Sequence, residues 1–134
     1  MSRILALDYG SARCGCAVSD PTGTLATPIE PVLRPATRKG LARIGDLVRE
    51  QEAQLVVVGL PLSLSGADSD QTAETRAFAA QLAQRLDVPI ELYDERFTTL
   101  MAGRDPEPSA SEDSRAAAHL LAGWLTARSN RQGS

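Results

Sequence analysis

Apolar and polar positions along the chain fall into a regular order. Ile4-Leu5-Ala6-Leu7 is an apolar run with no alternation, which predicts a strand buried on both faces. Gly10 permits a tight turn, and Cys14–Ser19 returns as a second strand, so Asp8 sits at the mouth of a β-hairpin. Asp20-Pro21-Thr22-Gly23 has the chemistry of a hairpin loop. Leu25–Val32 follows as a third strand, and Pro28 and Pro31 confine it to a sheet edge. Thr37 is placed to cap a helix whose stripe is Leu41, Ile44, Leu47 and Val48. Gln54–Gly59 is a second strand of the two-sided buried kind, and an apolar loop at 60–66 leads away from it. Asp68 or Ser69 opens a second helix with Ala73, Phe78, Leu82 and Leu86 inward. Val88–Tyr93 is a short strand, Thr98–Gly103 a short helix, and Arg104–Ser111, with two prolines, a flexible loop. The last helix is predicted over Glu112–Arg128, with residues 129–134 as a frayed tail.

The order β-β-β-α-β-α-β-α constrains the topology. The first three strands form an antiparallel meander, and the strands near residues 55 and 90 follow helical crossovers, parallel to the first. Right-handed crossovers then give a five-stranded mixed sheet in the order 3-2-1-4-5, with strand 2 antiparallel and helices flanking it. That is an α/β fold of RNase H-like topology. At 134 residues the chain holds one domain, expected over 1–128. In such sheets, ligands gather at the carboxyl ends of the parallel strands.

Asp8 leaves the first strand at that edge, and Asp94 or Glu95 leaves the fifth. Glu95 must reach across the fourth strand, whose end is Gly59, a residue with no side chain to obstruct it. Asp113 lies one helical turn before the inward stripe Ala117, Leu120, Leu121 and Trp124. From spacing alone, Asp113 is either a helix-terminal cap and dipole partner or a member of the acidic group. Converging carboxylates remain ionised together only around a cation, and oxygen ligands select Mg2+ or Mn2+ over zinc. One or two such ions, about 4 Å apart, suit phosphodiester hydrolysis. His119, within the apolar last helix, reads as packing rather than catalysis.

Charge refines this picture. The net charge of −3 argues against coating nucleic acid by bulk electrostatics, yet residues 1–49 carry +3 and residues 50–134 carry −6. Aromatic residues make up 4%, so base stacking is not the main binding device. Cys14 and Cys16 share one strand face without Cys or His partners, which indicates packing and not a metal site. The amino-terminal strand does not resemble a leader, and no apolar run nears 18 residues, which predicts a cytoplasmic protein.

Several stretches carry a family resemblance: Leu-Asp-Tyr-Gly-Ser-x-Arg-x-Gly-x-Ala-Val-Ser-Asp-Pro at 7–21, Val57-Val58-Gly59-Leu60-Pro61-Leu62-Ser63-x-Ser65-Gly66, Asp94-Glu95-Arg96-Phe97-Thr98-Thr99 and Asp113-Ser114-x-Ala116-Ala117. In order and spacing these resemble the YqgF/RuvX family. The resemblance implies a Mg2+- or Mn2+-dependent nuclease of the two-metal-ion type that matures the 5′ end of pre-16S ribosomal RNA. It also carries an older reading as a Holliday-junction resolvase acting on branched DNA. By motif, Asp8, Glu95 and Asp113 are the catalytic and metal-binding acids. Arg13, Arg96, Gly10, Gly59 and Ser114 are the positions at which substrate is met, although Arg96 is equally placed to pair with Asp94. Where the family carries a Lys/Arg-rich loop, residues 101–112 are short and net acidic, which shifts substrate grip toward Arg13, Arg96, Arg34, Arg38 and Lys39. A resolvase would require a homodimer; no long apolar surface helix demands one, which favours RNA and leaves a monomer or homodimer. Two further readings stand beside these: the phosphate-binding hairpin of actin-like ATPases, for which the chain lacks a second lobe, and a binding module without catalysis.

Overall fold

In the computed structural model, residues 3–61, 69–94 and 112–132 are described, with side chains described over 3–61, 69–94 and 114–128. The unbroken apolar run forms β1 (Arg3–Asp8), whose residues Ile4 to Leu7 are all buried. It is followed by β2 (Arg13–Ser19), β3 (Ala26–Leu33), α1 (Arg38–Glu50), β4 (Ala53–Leu60), α2 (Asp70–Arg85), β5 (Ile90–Asp94) and α3 (Glu112–Gln132). The strands lie in the order β3-β2-β1-β4-β5; β1 is antiparallel to β2 and parallel to β4, and β4 is parallel to β5. This is the predicted sheet, and β3, with its two prolines, is an edge strand.

Alternation along the strands divides the core in two. Leu5, Leu7, Tyr9, Cys14, Cys16, Val56 and Val58 pack beneath α1 and α2. Ile4, Ala6, Ala17 and Val57 pack beneath α3, against Ala117, Ala118, Leu120, Leu121 and Trp124. Each large aliphatic side chain removed from water here contributes about 1.5–3 kcal/mol. Both cysteines are fully buried toward α1 and α2, the face that spacing alone left undecided.

Local chemistry sets the element ends. Thr37 caps α1, its hydroxyl accepting from Gly40 N at 3.1 Å, and Ser69 caps α2 by accepting from Thr72 N at 3.2 Å. Beyond shifts of a residue at several strand ends, the elements differ from the sequence reading in these respects. The fifth strand starts at Ile90 and not at Val88, because Pro89 has no N–H for the ladder, although its carbonyl accepts from Val56 N at 3.0 Å. The inner face of α2 carries Thr72 and Thr75, while Ala73 is exposed. Those threonines are compatible with burial because their hydroxyls donate to the Pro61 and Gln71 carbonyls at 2.7 and 2.8 Å. Helix α3 continues four residues past the expected end, to Gln132. The short helix expected from Thr98, and the loops at 62–66 and 104–111, lie outside the described residues. Among the described residues, no helix is long and apolar enough to cross a membrane.

Candidate active site

β1, β4 and β5 run parallel and finish at one edge of the sheet. Asp8 is the last residue of β1 and half-buried. Ile4 and Ala6 face α3, so strand alternation turns Asp8 to the same side. Its partner across the antiparallel ladder is Gly15. On the other side, Leu7 pairs with Val58, which brings Gly59 level with Asp8, and Gly59 pairs in turn with Tyr93. The carboxylate therefore stands between two residues without side chains, on the face that α3 covers. Tyr93, packed against the α3 core, forms the next position along. The sequence reading singled out Gly59 but missed Gly15, whose role follows from the cross-strand register.

The hairpin holding Asp8 is tightly determined. A Cβ on Gly10 would lie 2.7 Å from the Arg13 carbonyl oxygen, so only glycine allows the chain to close there. On the opposite face, Tyr9 packs its ring on Phe78, with centroids 4.5 Å apart, and donates its hydroxyl to Glu74 at 2.8 Å. Burial first, then that bond, push the Tyr9 pKa up to about 12. Neighbouring residues thus have opposite tasks: Tyr9 ties the strand end to α2, and Asp8 is left facing α3. Arg13 begins β2 at this edge and is exposed.

Ser114 connects α3 to the sheet in an unusual way. It is 1% exposed; its hydroxyl accepts from Cys16 N at 3.4 Å and donates to the Ile29 carbonyl. Cys16 and Ile29 are opposite one another across β2 and β3, at a register shift beside Pro31. The serine hydroxyl thus bridges an N–H of β2 and a carbonyl of β3. Its described contacts are with sheet backbone, which makes it a tie for the first turn of α3, the turn that also contains Asp113. The side chain of Asp113 is not described, and Glu95 and Arg96 lie outside the described residues. Glu95 follows directly on Asp94, and residues 91 and 93 of β5 face α3: Glu91 accepts from the Trp124 indole, and Tyr93 packs there. Half-buried His119 lies further along α3, two turns from its start.

Among the described residues, no three His, Cys, Asp or Glu side chains form a group that could hold a metal ion. Two of the three expected acids are not in that set. The donor chemistry available at the edge is nonetheless hard oxygen, because both thiols face the other side. Asp20, the acid that follows β2, has a different occupation. Its carboxylate accepts from Thr24 N and Leu25 N at 2.8 and 2.9 Å, and the Leu25 bond above all holds its pKa well below the usual carboxylate range.

The family model described as RuvX, Holliday junction resolvase, matches residues 2–127. The chain belongs to the RuvX family. A relative from Koribacter versatilis is 47% identical over 102 residues, 76% of this chain and 67% of its own. One from Nocardia farcinica is 42% identical over 142 residues, covering 95% and 79%. One from Anaeromyxobacter sp. is 42% identical over 135 residues, covering 94% and 98%. All three bear names that assign them provisionally as pre-16S rRNA nucleases. Among solved structures, T. thermophilus RuvC bound to a Holliday junction superposes with a TM-score of 0.64 at 13% identity, covering 99% of this chain and 97% of that one. A second structure of Thermus thermophilus RuvC gives 0.59 at 16% identity, covering 98% and 96%. At those identities the likeness establishes the fold, which is RNase H-like, as the sheet order predicted.

Proposed function

We propose that this RuvX-family chain is a divalent-metal-dependent nuclease that processes the 5′ end of pre-16S ribosomal RNA in the cytoplasm. The observation that carries the reading is Asp8, a strand-end carboxylate flanked by Gly15 and Gly59 on the α3 side of the sheet. The relatives' names supply the substrate.

In this reading Asp8, Glu95 and Asp113 hold Mg2+ or Mn2+, one or two ions. Such ions lower the pKa of bound water and stabilise the leaving oxygen of a phosphodiester. The chain's own residues do the rest. Gly59 and Gly15 leave room for a phosphate to approach the carboxylate, and Gly10 shapes the turn that carries it. Arg13 and Arg96 contact phosphate oxygens and fix the strand on the edge. Ser114 acts at one remove, holding the start of α3 against β2 and β3 so that Asp113 keeps its place.

The test is Mn2+-dependent cleavage of a 5′-extended 16S precursor beside a four-way DNA junction. Wild type should cleave the precursor in preference, and Asp8→Asn and Glu95→Gln should each lose about a thousandfold in rate, comparable to removing a transition-state electrostatic contact. Unchanged cleavage by Asp8→Asn would remove the site from consideration. The alternative reading, a junction resolvase, is favoured by the family description. It gains if the junction is the preferred substrate and the protein is a homodimer in solution.

A further inference from the structure

Helix α1 begins in a way that its own stability does not favour. Its first turn contains Arg38 and Lys39 and no acidic residue, although a helix N-terminus prefers negative charge. Residues 31–43 hold Arg34, Arg38, Lys39 and Arg43 and no acid, in a chain of net charge −3. Arg43 is committed to Glu50 at 3.2 Å. Arg13, Arg34, Arg38 and Lys39 are exposed and have no carboxylate partner among the described residues. Beside them lies an open groove of about 560 Å3, lined by Val32, Leu33, Arg34, Thr37, Lys39 and Arg43, with Leu33 67% exposed.

The backbone beneath these cations is built to one shape. Arg34 has φ 45°, and its carbonyl accepts from Thr37 N at 3.2 Å and from the Thr37 hydroxyl at 2.7 Å. A Cβ on Gly40 would lie 2.2 Å from that same carbonyl, so a glycine is what lets the loop press against α1. Arg34 N donates to the Ala12 carbonyl at 2.9 Å, within the hairpin that carries Asp8. Arg13 pairs with Leu33 across the β2–β3 ladder. The cations are therefore held in register with the Asp8 hairpin. β3 and β1 run in the same sense with β2 between them, so their ends share an edge, roughly 10 Å apart at about 4.8 Å per strand.

We infer that this β3–α1 corner is a phosphate-binding surface for the RNA substrate, gripping its backbone a few nucleotides from the position held at Asp8. The inference rests on the nuclease reading above and adds where the rest of the substrate goes. Unpaired cations on a rigid shelf suit a polyanion, and their placement against the helix dipole is retained for binding. The corner supplies the grip that the acidic segment 101–112 does not.

The test measures binding of a labelled 5′-extended 16S precursor fragment with a chelator present, so that cleavage does not intervene, as salt is varied. Removing three charges together, Arg34→Gln, Arg38→Gln and Lys39→Gln, should lower the log–log salt slope by about 2, at about 0.7 for each single-strand phosphate contact. A control losing three charges elsewhere, Arg49→Gln, Arg85→Gln and Arg128→Gln, should keep the wild-type slope. Thermal stability of the first variant should equal or exceed wild type, since the helix dipole is relieved. An unchanged slope in the folded first variant, or an equal loss in the control, overturns the inference. A loss seen with the four-way junction but not with RNA overturns it as well. If wild type binds RNA through this corner but does not cleave it when metal is restored, the nuclease reading fails while the corner stands.

Discussion

The two faces of the sheet are packed by different rules. Beneath α1 and α2 lie large side chains, among them Leu5, Leu7, Ile44, Phe78 and Leu82, each no more than 2% exposed. Beneath α3 the middle of the sheet is lined by Ala6 and Ala17, and the helix answers with Ala117 and Ala118. Small residues on both partners leave room there for the α3 backbone to lie close to β1 and β2. The α1/α2 face carries the larger cluster of buried side chains. The α3 face is where position matters, because it is shared with Asp8, Gly15 and Gly59. Under the proposed function, stability and chemistry are thus separated across one sheet.

That separation can be broken from either side. Leu7→Ala empties a fully buried site on the bulky face and should cost about 2–5 kcal/mol, read as a lower denaturation midpoint. Cleavage measured well below melting should stay close to wild type. Ala6→Leu, one residue earlier and on the other face, should cost less, about 1–3 kcal/mol from overpacking. It should nevertheless lose most cleavage activity, because the added bulk lifts α3 from the edge. If Leu7→Ala proved the more damaging to activity at low temperature, the division of labour proposed for the two faces would be wrong.

Smaller effects sharpen the contrast. Ser114→Ala leaves the Cys16 N–H and Ile29 carbonyl without the bridging hydroxyl and should cost about 1–3 kcal/mol. If the tie positions Asp113, the Mn2+ concentration giving half-maximal cleavage should rise along with the stability loss. Loss of stability alone would make the serine purely structural. Tyr9 offers the mildest probe, on the opposite face. Its pKa rises from 10.0 to about 12 on folding, so the folded state keeps a proton that the unfolded chain releases first. The stability contributed by this contact is complete below pH 10 and is lost as pH climbs toward 12. Tyr9→Phe should accordingly lower the neutral plateau of a melting-temperature profile slightly, by about 1 kcal/mol for the lost bond to Glu74, and flatten its alkaline limb.

The amino-acid order alone determined the sheet: uninterrupted apolar runs at 4–7 and 55–58, prolines at 28 and 31, and helical stripes between them allow few arrangements. It also determined that Asp8 leaves the central strand at the carboxyl edge of the parallel strands, because a strand's end and direction are local properties. The α2 inner face was only partly legible, since Thr72 and Thr75 become buried only once their hydroxyls find carbonyls. Three things belonged to the tertiary structure alone. These are the face that the two cysteines occupy, the pairing of Gly15 with Asp8, and the insertion of the Ser114 hydroxyl between β2 and β3. Each depends on register between segments distant in the chain, and periodicity within a segment carries no information about register. The basic corner follows the same division, for its charges are plain in the sequence, but one hydrogen bond from Arg34 to Ala12 aligns them with the acid.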